Sequence, residues 1–203
     1  YQKYKSLLSA ETFLPNCISY FAGGFNLFSL KDVNLEKEMD MALHFVSRNL
    51  DESGHNSKPV LFHCFKVSTI LYELGYSKDI VISGILHDLL EDTDISYEDI
   101  CDSFGEKIAG CVLAVTFDSK ITDKLEQARK MFLNCIKFGN EALIVKCADL
   151  LDNIKYVNLV ADVDVKNNLF KKYDMFLEMS KQYIGNEKIY SMLENEVQKQ
   201  KEV

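Results

Sequence analysis

Four side chains in this sequence are of the right type and setting to share one metal ion: His63, His87, Asp88 and Asp149. His63 follows Pro59-Val-Leu-Phe. His87 and Asp88 interrupt the apolar run 79–92 (DIVISGILHDLLED), and Asp149 lies within 141–160 (EALIVKCADLLDNIKYVNLV). Burying an imidazole or a carboxylate among hydrocarbon is costly unless something compensates it. A single cation compensates all four at once. Neutral imidazoles with carboxylates suit borderline to hard divalent ions such as manganese, iron, cobalt, zinc or magnesium. Such a ligand set leaves coordination positions for water, as hydrolytic chemistry requires.

The same run carries two more carboxylates one helical turn later. Glu91 follows His87 by four residues and Asp92 follows Asp88 by four, so each stacks beneath its partner on a helix. Either can orient or deprotonate a metal-activated water, and Glu91 is the preferred base. Adjacent helix residues diverge by about 100°, so an ion bound by both His87 and Asp88 must sit between their directions. Singly, these residues have plainer readings. His63 can be a hydrogen-bonded core or surface histidine, Asp149 the buried partner of Lys146, and Glu91-Asp92 a solvated helix end. The order H…HD…D, spread over separate apolar helices, favours the metal.

Helical periodicity runs through the sequence from about residue 35. It predicts an amphipathic helix over 35–50 with apolar positions at Leu35, Met39, Leu43 and Val46, and a polar turn over 51–58. A helix opened by Pro59 runs to Leu74 and is closed by Gly75. One continuous helix is expected over 79–91, and a Ser96–Asp99 capping box opens a short helix to Phe104. Further helices follow over 106–115, 123–138 and 141–160. Asp164 is expected to cap a helix to Ile184, and Asn186 a last one to about Gln200. No strand-like alternation persists and no internal repeat occurs. The expectation is an all-α protein, a single helical bundle of about eight or more helices.

The 203 residues can bury one good-sized core. Residues 1–34 read as an N-terminal arm packing on a domain that spans 35–203, with the helices from about 164 completing the bundle. The stripe Leu169, Tyr173, Phe176 and Leu177 is also where a homodimer contact would form. The stretch Phe13–Leu30 is uncharged but holds Pro15, Asn16, Asn26 and a Gly23-Gly24 pair, and reads as part of the arm and not as a membrane span. A net charge of -8 argues against nucleic acid as the partner and leaves a small phosphorylated ligand, handled by a metal and local lysines. The six cysteines show no CxxC spacing and read as reduced core thiols of a cytoplasmic protein.

The motifs resemble the HD superfamily of metal-dependent phosphohydrolases, and most closely the hydrolase domain of the RelA/SpoT alarmone enzymes. The residues carrying the resemblance are PVLFH (59–63), LHDLLEDT (86–93), Phe104-Gly105 and KCADLLDN (146–153). TFDSK (116–120) and EQARK (126–130) fall where that family has charged elements. The resemblance implies one Mn(II), or another divalent ion, held by His63, His87, Asp88 and Asp149, with Glu91 and Asp92 acting on the hydrolytic water. It implies removal of pyrophosphate from the 3′ position of ppGpp or pppGpp. Lys146, Arg129 and Lys130 become candidates for neutralising phosphate, although Arg129 and Lys130 read equally as solvated helix charges. Asn153 would touch the base or ribose, or brace Asp149. One stretch departs from the family. An arginine-lysine pair usually precedes the proline, whereas here Gly54-His55-Asn56-Ser57-Lys58 does, so His55 or Lys58 would have to substitute. That departure keeps a second substrate class open, another nucleoside phosphate or small phosphoester. A non-catalytic HD module that only binds a nucleotide or a partner is disfavoured by the presence of Glu91 and Asp92.

Overall fold

Residues 32–53 and 59–202 are described by the structure, a computed structural model. The N-terminal arm up to residue 31, and the stretch 54–58 with His55 and Lys58, lie outside the described residues.

Among the described residues only helices occur, as the periodicity predicts. They are α1 (Val33–Ser53), α2 (Val60–Glu73), α3 (Lys78–Leu86), α4 (Leu89–Asp92), α5 (Tyr97–Phe104), α6 (Glu106–Val115), α7 (Lys124–Phe138), α8 (Asn140–Asn153), a 3-10 helix (Ile154–Leu159), α9 (Val163–Ile184) and α10 (Lys188–Lys201).

The bundle is organised around α8. Eleven consecutive residues of that helix, Ala142 to Asp152, are buried, so it has no solvent face and its apolar residues meet neighbours on every side. Helices α2, α3, α6, α7 and α10 pack directly against it. Gly139, at φ 138°, ends α7 and opens α8 in a backbone conformation that L residues rarely adopt. Burial of each large aliphatic side chain contributes about 1.5–3 kcal/mol, and Leu143, Leu150 and Ile154 are all fully enclosed.

Helix α3 lies against α2 at very short range. A Cβ added at Gly84 would stand 2.5 Å from Leu71 Cδ1, so the missing side chain leaves room for that leucine between the two helices. This approach draws the helix carrying His63 to the one ending in His87. On the other side, α9 packs on α7 through an edge-to-face pair, Phe132 and Phe176, with ring centroids 5.1 Å apart. Tyr173 and Phe176 are buried, and Leu169 and Leu177 pack on the core. The C-terminal stripe therefore completes the bundle.

Several local details differ from expectation. The helix over 79–91 is interrupted at His87-Asp88, and 141–160 is an α-helix only to Asn153, where the chain tightens to 3-10. Helix α9 is capped by Asp162, whose carboxylate accepts from the amides of Asp164 and Val165, and not by Asp164. Glu187, not Asn186, precedes α10. The Ser96–Asp99 capping box forms in both directions. Cys64, Cys101, Cys111, Cys135 and Cys147 are free thiols, four of them buried. No helix among the described residues is long and apolar enough to cross a membrane.

Candidate functional site

His63 projects from α2, His87 and Asp88 from the break between α3 and α4, and Asp149 from the middle of α8. His63 Nε2 lies 3.2 Å from His87 Nε2 and 3.1 Å from Asp149 Oδ1. Asp88 Oδ1 is 3.1 Å from His87 Nε2, and its Oδ2 is 3.9 Å from His63 Nε2. The structure thus brings together all four side chains that the spacing singled out.

The break at His87 has a local cause. His87 Nδ1 bonds the carbonyl of Gly84 at 2.9 Å, the acceptor that a continuing helix would pair with the Asp88 amide. The chain turns there, and α4 restarts with the amides of Glu91 and Asp92 on the Asp88 carbonyl. Both residues keep right-handed helical backbone angles, φ/ψ -58°/-30° at His87 and -92°/-5° at Asp88, and Asp88 Oδ1 still comes within 3.1 Å of His87 Nε2.

The hydrogen bonds of the outer ring nitrogens show what this convergence requires. His63 Nδ1 donates to Asp152 Oδ2 at 2.8 Å, and His87 Nδ1 donates to a carbonyl. In neutral rings both protons are thereby placed on Nδ1, which leaves two Nε2 lone pairs 3.2 Å apart facing a carboxylate oxygen. Three converging acceptors repel one another unless a cation lies between them. The donor atoms of His63, His87 and Asp149 all lie within 4.8 Å of one another, a group that could hold a metal ion. The residues fit a divalent ion in donor type and in the orientation of both rings.

The surrounding charges have the same bias. Burial alone would lower both imidazole pKa values, but they are raised. For His63 the hydrogen bond and charge of Asp149 do this, and for His87 the charge of Asp88 leads. The site therefore favours positive charge, and metal and proton compete for it. Burial would push Asp149 up, yet Lys146 beside it and both histidines hold it well below the usual carboxylate range. Lys146 Nζ is 2.7 Å from Asp149 Oδ2, and Asn153 Nδ2 donates to Asp149 Oδ1. Both plainer sequence readings, Lys146 as partner and Asn153 as brace, describe contacts that form. Asp152, also buried, accepts from Lys66 at 2.7 Å as well as from His63.

These groups line one side of a cavity of about 590 Å³. Glu91 faces into it, with Oε1 fixed by the amide of Phe117 at 2.9 Å. Burial raises the Glu91 carboxyl to about 7, a value suited to a base working near neutral pH. The remaining wall includes aromatic Phe62, Phe117 and Tyr156, apolar Met131 and Leu169, and Lys124 and Lys172. Asp92 sits at the end of α4 and is not part of this lining. Arg129 and Lys130 lie on the exposed face of α7, Arg129 paired with Glu126 at 3.0 Å, and neither reaches the cavity. Theirs is the solvated-charge position. Lys66, Asp152 and Lys172 are site residues that the sequence reading missed. Asp152 could have been found, because it stands three residues after Asp149 on a helix otherwise apolar there; Lys172 had no sequence signal.

A relative from Aquifex aeolicus (strain VF5), named guanosine-3′,5′-bis(diphosphate) 3′-pyrophosphohydrolase, is 37% identical over 123 residues, which are 59% of this chain and 18% of that protein. The Drosophila melanogaster protein of that name, MESH1, is 38% identical over 113 residues, 55% of this chain and 63% of its own length. The chain thus spans less than two thirds of either relative. A solved structure of a metazoan ortholog of SpoT, described as hydrolysing ppGpp and acting in starvation responses, superposes with a TM-score of 0.68. That comparison covers 80% of this chain and 94% of the other at 23% identity, and it shows a shared fold. The HD domain sequence model matches residues 42–173, the segment that holds His63, His87-Asp88 and Asp149. The chain belongs to the HD domain family.

Proposed function

We propose that the chain is a Mn(II)-dependent phosphohydrolase that removes the 3′-pyrophosphate of ppGpp or pppGpp, yielding GDP or GTP and pyrophosphate. The observation that carries this reading is the convergence of two Nε2 lone pairs and the Asp149 carboxylate beside a buried glutamate, in a cavity large enough for a nucleotide. The names of the Aquifex and Drosophila relatives supply the substrate.

His63, His87, Asp88 and Asp149 are the residues that would hold the ion. A divalent ion there would polarise a phosphoryl oxygen and lower the pKa of an attacking water. Glu91 accepts the proton of that water, and its hydrogen bond from Phe117 keeps one oxygen fixed so that the other can turn to the reacting atoms. Lys146 stays charged, because Asp149 and Glu91 outweigh the cost of burial, and offsets charge developing on the phosphoryl oxygens. Phe62, Phe117 and Tyr156 offer faces on which a purine stacks. Asp92, one turn after Asp88, is the second carboxylate proposed to act on the attacking water.

The stretch 54–58, which departs from the RelA/SpoT pattern just before the cavity residues Pro59 and Val60, favours a second reading. There the same chemistry acts on another nucleoside phosphate, with His55 and Lys58 setting the choice. In both readings the ligand is a small nucleotide and not nucleic acid, and the free thiols suit the cytoplasm. Product analysis decides between them. Metal-free protein is supplied with Mn(II) and ppGpp beside a panel of nucleoside mono-, di- and triphosphates. Mn(II)-dependent release of pyrophosphate from ppGpp is expected. Turnover of a panel member with ppGpp intact would replace the substrate and keep the chemistry.

A further inference from the structure

Lys172, on α9, lines the same cavity as His63, Asp88 and Asp149. It is half-buried, and its ammonium makes no hydrogen bond or ion pair among the described residues. The other inner lysines are committed to carboxylates. Lys66 is held by Asp152 and Lys146 by Asp149, each at 2.7 Å. Lys124, at the rim, reaches the neutral Gln127 Oε1 at 3.3 Å and lies 5.8 Å from the centre of the Phe117 ring.

The charge balance of the wall gives this a meaning. Four carboxylates and four ammonium groups line the cavity. Lys66 and Lys146 neutralise Asp152 and Asp149, and a divalent ion offsets Asp88 and Glu91. The surplus is two positive charges, located at Lys172 and Lys124, in a chain whose net charge is -8. A half-buried cation with no counter-ion is unfavourable in the free protein. Burial, and then the charge of Lys146, push the Lys172 pKa down, against the weaker opposing pull of Asp149, Glu91 and Asp88. An anionic ligand removes that penalty.

We infer that Lys172 anchors a phosphate group of the substrate, as the one inner cation of the cavity that no protein carboxylate contacts directly. This rests on reading the cavity as a phosphohydrolase site, though not on which nucleotide it cleaves. The alternative is a lysine whose stem merely packs along α9. Lys172→Met separates the two, since it keeps the stem and removes the charge.

The test is calorimetric titration of inorganic pyrophosphate into the Mn(II)-loaded full chain, for wild type, Lys172→Met and Lys172→Arg. Lys172→Met is expected to weaken binding about tenfold or more, the worth of one charge-assisted hydrogen bond. Lys172→Arg, still a cation, is expected to stay within about threefold. The thermal midpoint of Lys172→Met should equal or exceed that of wild type. Pyrophosphate affinity in Lys172→Met within about twofold of wild type would overturn the assignment. So would failure of wild type to bind pyrophosphate. If wild type leaves ppGpp intact but binds pyrophosphate through Lys172, the alarmone reading falls and the anchor stands. If ppGpp is hydrolysed with KM unchanged in Lys172→Met, the anchor falls and the alarmone reading stands.

Discussion

Asp152 Oδ2 lies 2.8 Å from His63 Nδ1, and the carboxylate that makes this contact is almost wholly enclosed, with only 1% of Asp152 exposed. Burial would raise its pKa, but the hydrogen bonds from Lys66 and His63 hold it below the usual value. It therefore remains an anion. It fixes the proton of His63 on Nδ1, turns Nε2 toward His87, and makes the ring a better electron-pair donor.

Asp152→Ala should weaken Mn(II) binding by about 10–100-fold, the usual cost of losing a partner of this kind. Asp152→Asn, which still offers an oxygen to Nδ1, should recover part of the loss. Mn(II) titration followed by electron paramagnetic resonance measures both. Unchanged affinity in the alanine variant would mean that His63 is not a ligand or is oriented by something else.

Asp88 is tested by metal content. Its two oxygens lie 3.1 and 3.9 Å from the two histidine nitrogens. Asp88→Ala should purify without stoichiometric metal and without hydrolytic activity while retaining its helical circular dichroism. One bound ion per chain in that variant, by elemental analysis, would remove Asp88 from the ligand set.

Glu91→Gln preserves shape and the acceptor for the Phe117 amide while removing the base. Metal affinity should hold within about twofold, because Glu91 is outside the proposed ligand set, while turnover falls about 10²–10⁴-fold. The pH profile gives a second check. The Glu91 carboxyl is raised to about 7 by burial, and the proposed base is its carboxylate form. Wild-type kcat/KM should therefore decline as pH falls through a value at or below about 7, since a bound cation can only lower it. An acid limb left in place in Glu91→Gln would assign that ionisation to another group.

The wall that carries Lys172 depends on core packing several residues away. Phe176 is fully buried against Phe132, and Phe176→Ala should cost about 3–5 kcal/mol of stability, read from urea unfolding. Because α9 supplies Leu169 and Lys172 to the cavity, KM should rise more than kcat falls under conditions where the variant remains folded. A loss confined to kcat would place α9 outside substrate binding.

Much of this molecule was legible in the residues alone. The all-helical class follows from 3.6-residue periodicity, and the convergence of His63, His87, Asp88 and Asp149 was foreshadowed by polar groups inside apolar runs. Such groups need a compensator, and one is enough for all four. Those are local and compositional arguments, and they survive folding. Packing decided the rest. The break at His87-Asp88 arises when the His87 ring takes the Gly84 carbonyl, a choice that periodicity does not encode. Asp152 and Lys66 become site residues only because α2 crosses α8 closely enough for hydrogen bonds across more than eighty residues of sequence. Arg129 and Lys130, charged and near a family motif, turn outward because the apolar face of α7 has to meet α8 and α9. Lys172 lies far from every motif, and only the docking of α9 on α7 brings it to the cavity. A sequence shows which groups would need a partner if buried; the tertiary structure decides which groups meet.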